Sequence, residues 1–293
     1  MVVGVAAIST SPILIRVAAL PALAMAFWRC LAGAAVLAPF ASRGAGTVRL
    51  SRTDLLQLAA AGVFLAAHFA LWNASLGLTT VAAATTLVSS APLFVGLGSA
   101  VFLGEPPGRL AWAGIVLATL GAVTIGAGDA VLDGSVGGVR GGAFGPTGGS
   151  PLAGDVLAFA GALAVAGYLL LGRVARQRLP VSTYAASVYG VAAAVLLPAC
   201  LLTSSDLGGY PAASWLAVAG VVVGPQLLGH TVFNGLLAAV SASVVAVVML
   251  LEPVIATALA WWLFSELPGP SFWAGAPMVL AGVWLATTGS RRM

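Results

Sequence analysis

The sequence predicts an all-α membrane protein: ten transmembrane helices arranged as two inverted five-helix repeats around a central cavity. Three observations carry this. The chain of 293 residues is 60% hydrophobic and only 7% charged, whereas soluble chains run near 25% charged, so it cannot coat a soluble core. Its apolar residues fall into runs of roughly 20, the length that crosses about 30 Å of hydrocarbon. The second half also repeats the first at a fixed spacing of 161 residues. That spacing pairs Asn73 with Asn234, Pro92 with Pro253, Glu105 with Glu266, Pro107 with Pro268, Trp112 with Trp273, Gly114 with Gly275 and Gly121 with Gly282. A constant spacing through unlike residue types marks an internal duplication.

With Arg clusters, Pro and Gly as punctuation, the spans read 2–19, 22–40, 54–75, 80–103, 109–127, 154–172, 182–202, 213–236, 241–264 and 271–289. The first run starts at the second residue with no basic leader or small-residue cleavage site, and it reads as a span rather than a removable signal peptide. The bias of Arg to one side sets the orientation. With both termini cytoplasmic, the inner loops and tail hold Arg43, Arg49, Arg52, Arg109, Arg173, Arg176, Arg178, Arg291 and Arg292. The outer loops then hold Arg140 with Asp129, Asp133, Asp155, Asp206 and Glu266. Five spans per copy is an odd number, which turns the second copy over in the bilayer. The repeats are residues 1–128 and 154–293, joined by a Gly-rich segment at 129–153 that reads as a flexible linker. Glu105 and Glu266 beside Pro read as helix-end punctuation. Gly220 and Gly224 read as a place where helices approach closely.

Composition excludes several chemistries. All twelve basic residues are Arg, so there is no phosphate-loop lysine and no Schiff-base lysine. Two Cys, Cys30 and Cys200, and two His, His68 and His230, do not make a cysteine-rich zinc site. The thiols are expected free, and no metal or cofactor is expected. The net charge of +4 is spread over loops and gives no nucleic-acid surface. The expected partners are the lipid bilayer and a small-molecule substrate, with a homodimer left open.

The residues able to carry chemistry are the polar ones at bilayer depth. Gln226, His230 and Asn234 recur every four residues, a single stripe on an α-helix. His68, Trp72 and Ser75 make a similar stripe in the first copy, with Asn73 beside it, although the histidines sit 162 residues apart where the repeat runs at 161. Two readings stand: these groups bond neighbouring helices, or they line a cavity. Glu252 replaces the Ala91 of the first copy inside an apolar run, where an acid costs about 2.5–3.5 kcal/mol to insert. Pro253 after it cannot donate to the Met249 carbonyl and loosens the helix. An apolar surround favours the neutral acid, so Glu252 is a candidate proton-coupling residue. A neutral or Arg-paired structural Glu is the other reading, with Arg29 or Arg16 as the charge partner.

HFALWNASL, SSAPLF and FLGE in the first half, with GHTVFN, LLEPV and LFSE in the second, resemble the EamA-type family of the drug/metabolite transporter superfamily. The resemblance covers essentially the whole chain. It implies a ten-helix inverted-repeat secondary transporter in the cytoplasmic membrane that works by alternating access, usually as a metabolite exporter and not as an enzyme. It makes His68, Trp72, Asn73, His230, Asn234 and Glu252 cavity residues. Rival readings are a lipid-carrier flippase of the same fold and a membrane-embedded enzyme using His68, His230 and Glu252.

Overall fold

Proline stands close to each place where an apolar run breaks or widens, at Pro12, Pro92, Pro225 and Pro253, while Pro39, Pro198 and Pro277 lie inside unbroken helices. Its nitrogen carries no hydrogen and its ring clashes with the carbonyl one turn back, a penalty of about 3 kcal/mol in a helix interior. In the computed structural model of the chain, residues 1–45, 50–76, 78–79, 81–132, 150–265 and 267–290 are described. Among them no strand occurs. The first run divides into α1 (Val2–Ser9) and α2 (Ser11–Ala18), with Pro12 in the first turn of α2. At the break, Ser9 and Thr10 turn their hydroxyls onto the carbonyls of Val5 and Ala7, at 2.8 and 2.7 Å. Next come α3 (Ala22–Ala45) and α4 (Arg52–Leu76). Ser51 and Asp54 cap the start of α4 reciprocally, Asp54 N to Ser51 Oγ at 3.1 Å and Ser51 N to Asp54 Oδ2 at 2.9 Å, which satisfies donors that have no partner inside the helix.

The fourth run breaks ahead of Pro92 into α5 (Val81–Val88) and α6 (Ala91–Phe102). After α7 (Arg109–Leu132), α8 (Pro151–Ala175) and α9 (Val181–Leu202), the eighth run begins as α10 (Ala212–Val221). It widens to a π-helix over Val222–His230 and ends as α11 (Thr231–Leu236). The ninth run breaks ahead of Pro253 into α12 (Ala242–Met249) and α13 (Leu251–Phe264), and α14 (Pro270–Gly289) closes the order. Against the ten expected spans, eight helical stretches among the described residues are long and apolar enough to cross a membrane. The first and fourth form shorter apolar helices, at Val2–Ile15 and Thr86–Phe102. Most of the expected linker lies outside the described residues, as do Arg49, Asp133, Arg140, Glu266, Arg291 and Arg292; so do the side chains of Arg16, Arg43 and Asp129.

The chain forms two compact units, Met1–Ala70 with Gly167–Val240 and Leu71–Ala166 with Ser241–Met293. In the first, α3 packs along α9 and α2 on α10. A core of Ala18, Leu20, Met25, Ala217, Val218, Val221 and Val222 is flanked by Trp28 and Trp215. The end of α8 reaches α11, whose last carbonyls have no acceptor role inside the helix. Arg173 Nη1 donates to Leu237 O at 2.8 Å and to Ala238 O at 3.2 Å, and Arg176 Nε donates to Asn234 O at 2.9 Å. These cations also match the negative end of the helix dipole.

In the second unit α7 and α14 lie antiparallel with their backbones touching. A Cβ on Gly114 would meet Gly282 O at 2.5 Å and Ala286 N at 2.4 Å, and a Cβ on Gly275 would meet Gly121 O at 2.5 Å and Ile125 N at 3.1 Å. A Cβ on Gly121 would meet Gly275 O and Val279 N, both at 2.7 Å. One on Gly282 would meet Gly114 O at 2.7 Å and Ala118 N at 2.4 Å. Only glycine fits such distances, because backbone atoms cannot swing aside. Ile115, Ala118, Ala122, Ile125, Val247, Phe272, Ala276 and Val279 build the core around the crossing.

Candidate functional site

The first unit brings three of the expected site residues together around Phe69, which sits on α4, and a fourth against one of them. The Arg29 guanidinium, in the second turn of α3, lies over the Phe69 ring with Cζ 4.7 Å from its centroid, a cation–π contact. His68 is 5.4 Å from that ring and His230 meets it edge-on at 6.1 Å. Arg29 Nε donates to Gln226 Oε1 at 2.8 Å. Arg29 and Gln226 are buried, and the two histidines are half-buried.

The expected α-helical stripe of Gln226, His230 and Asn234 takes a different form, because Gln226 and His230 lie on the π-helical segment. Pro225 interrupts the α pattern there, and a wider turn is a common way to accommodate such a break. The longer ring closes on one carbonyl: Gln226 O accepts from Thr231 N and, at 3.0 Å, from Thr231 Oγ1. The Tyr189 hydroxyl lies 3.4 Å from the same oxygen and 3.1 Å from Thr231 Oγ1. Asn234 is buried with both ends of its amide engaged. Nδ2 donates to Tyr189 Oη at 3.3 Å, and Oδ1 accepts from the Tyr168 hydroxyl. A polar chain therefore runs from Arg29 through Gln226, Thr231 and Tyr189 to Asn234 and Tyr168. Gln226 Nε2 is buried with no hydrogen-bond partner among the described residues. An unpaired buried donor of this kind costs about 1–3 kcal/mol.

Trp72, Asn73 and Glu252 belong to the second unit. Trp72 packs against the buried pair Ala84 and Ala158, as Leu87 and Val88 do, and its indole N–H is buried with no hydrogen-bond partner among the described residues. Ser75, placed in the stripe by its spacing, donates to the Trp72 carbonyl at 2.6 Å and so is absorbed by its own helix. Asn73 is half-buried. Glu252, also half-buried, lies in the first turn of α13 because the chain breaks at Leu250. Leu250 itself keeps a right-handed helical backbone, φ −65° and ψ −8°, so α12 and α13 meet at a kink.

Phe69, Tyr168, Tyr189 and Thr231 were not among the residues singled out from sequence. The tyrosines left a readable signal: of the four in the chain, Tyr168, Tyr184 and Tyr189 fall inside spans and are fully buried, and a hydroxyl at that depth seeks a partner. Phe69 adjoins His68 in sequence, but an aromatic in an apolar helix is not distinguishable from core. Among the described residues no group of three or more His, Cys, Asp or Glu is placed to hold a metal ion.

A protein of known crystal structure aligns with 99% of this chain and 97% of its own at a TM-score of 0.79 and 22% identity. At that identity the likeness concerns the fold. No curated protein matches the chain. The family model of the EamA-like transporters matches residues 1–127 and 152–288, nearly the whole sequence. With its all-helical fold and eight membrane-length stretches, the chain belongs to the EamA-like transporter family, membrane transporters of the drug/metabolite transporter superfamily.

Proposed function

We propose that the protein is a secondary active transporter of the cytoplasmic membrane that exports small metabolites, amino acids or related polar and amphipathic solutes, by alternating access. The observation that carries this is the polar group of buried Arg29 and Gln226 with half-buried His68 and His230 beside Phe69, built into helices whose composition suits the bilayer. Polar groups at that depth are costly and serve a path or a ligand. His68, Gln226 and His230 hold the solute. Asn234, its amide held by Tyr168 and Tyr189, keeps the π-helical segment in place. With no nucleotide-binding element in the sequence, uphill transport draws on an ion gradient.

The two copies, 1–128 and 154–293, are proposed to be inverted repeats of five spans each, with both termini cytoplasmic. The glycine crossing supports this. Gly114 touches residues 282 and 286 while its counterpart Gly275 touches 121 and 125; Gly121 touches 275 and 279 while its counterpart Gly282 touches 114 and 118. Each set maps onto its opposite at the repeat spacing, as around a two-fold axis. Between antiparallel helices such an axis lies across the helix direction, and it turns one copy over relative to the other.

Glu252 is the proposed proton-coupling residue: its place in a helix break gives the carboxyl room to bind and release a proton. Glu252→Gln mimics the protonated acid. In proteoliposomes with an imposed pH gradient this variant should lose the dependence of flux on pH and fall at least about tenfold in uphill transport. Wild-type flux with wild-type pH dependence would remove Glu252 from the mechanism.

A further inference from the structure

The Gln226 amide has a fixed sense. Its Oε1 accepts from Arg29 Nε at 2.8 Å, and a guanidinium carries donors and no acceptor. The oxygen must therefore face the arginine, and the NH2 must face away from it. That nitrogen is the one buried without a partner among the described residues. The backbone around it is already committed, since Gln226 O takes Thr231 and Tyr189.

The first copy shows that the fold does not require an amide here. At the repeat spacing Gln226 corresponds to Leu65, an apolar residue 1% exposed. The second copy keeps a polar group with an unused donor where the first keeps a hydrocarbon. Space is also made for it on α3, where a Cβ on Gly33 would come within 3.0 Å of Gln226 Cγ and 3.2 Å of Tyr189 Cδ2.

We infer that Gln226 orients the transported solute: its NH2 donates to an sp2 oxygen of that solute, a carboxylate or a carbonyl. Arg29 is a positioning residue that holds the amide in the donating sense, and Phe69 and His230 supply an aromatic wall beside it. The inference rests on the transport reading and narrows its substrate to acceptor-bearing solutes.

The test uses the full-length protein in nanodiscs and calorimetric titration with three probes of one shape: phenylacetate, phenylacetamide and phenethylamine, the last with no acceptor oxygen. Wild type should bind the first two about tenfold or more tightly than the amine. Gln226→Leu should erase that ratio, and Gln226→Glu, which replaces the donor by an acceptor, should reverse it. Arg29→Lys should shrink the ratio itself, where a merely structural role would weaken all three probes alike. The inference fails if wild type shows no preference for the acceptor probes, or if the Gln226 variants keep it, as they would were the amide simply hydrated. Probe flux into proteoliposomes separates the two ideas. Discrimination without flux defeats only the transport reading, and flux indifferent to Gln226 defeats only this assignment.

Discussion

The two proline breaks are the same structure built twice with different side chains. Helix α5 covers Val81–Val88 and α12 covers Ala242–Met249, the same eight positions at a spacing of 161. Each is followed by a turn and a new helix with proline in its first turn, and each new helix ends in a left-handed residue, Gly104 at φ 65° and Ser265 at φ 57°. At the position before the proline, the first copy has buried Ala91 and the second has half-buried Glu252. The eighth span repeats the lesson. Its counterpart α4 is α-helical throughout and has Leu65 where the π-helical copy has Gln226. The first copy keeps the apolar solution at both positions, and the second spends stability on an acid and an amide.

The largest effect should come from breaking what the copies share. Gly114→Ala and Gly275→Ala each drive a methyl into backbone atoms near 2.5 Å away. Overpacking of this kind costs about 1–3 kcal/mol, and part of it is returned by the better helix propensity of alanine. Both variants should lower the thermal midpoint of the purified protein by several degrees and by equal amounts. Gly208→Ala, with nothing within 4 Å, should leave it unchanged. Unequal losses would mean that the crossing is not a two-fold contact.

A smaller effect should follow from making the eighth span like α4. Pro225→Ala restores a backbone donor and removes the ring that disfavours the α pattern. The π-helical turn should then tighten, and hydrogen exchange over 221–231 should slow. The Gln226 amide should turn away from Arg29, lowering the preference for acceptor-bearing probes about fivefold. Unchanged exchange would mean that the wide turn is held by Thr231 and Tyr189, which close on Gln226 O, rather than by the proline.

The same comparison explains what was legible beforehand. The helical class, the eight long stretches and the loosened helix at Pro253 followed from composition, run length and the repeat, because lipid enforces helices and proline removes a specific donor. The expected spans at 2–19 and 80–103 could not be resolved into helix pairs by hydropathy, which counts apolar residues and is blind to backbone hydrogen bonds. The stripe of Gln226, His230 and Asn234 assumed 3.6 residues per turn, a period that the π-helical segment abandons. The grouping of Arg29 with Gln226, residues 197 apart in sequence, was not readable from spacing on either helix. Glu252 was visible as an anomaly in the repeat, but its place at a helix start depended on the break at Leu250.

The mildest and most discriminating change concerns the turn that ends each broken helix. A non-glycine residue in the left-handed region costs about 1–2 kcal/mol because Cβ crowds the following carbonyl. Glycine avoids that cost but loses more chain entropy on folding. Ser265 bears the strain at an exposed position, and Gly104 meets nothing within 4 Å, so neither side chain contributes packing that would confuse the exchange. Ser265→Gly should therefore raise stability by about 0.5–1 kcal/mol, or roughly 2 °C in the melting midpoint. Gly104→Ser should lower it by a similar amount, and the double swap should return to the wild-type value because the sites are independent. If Ser265→Gly destabilises instead, the serine side chain is tying the turn to something glycine cannot replace, and the two breaks differ in their ends as well as in Glu252.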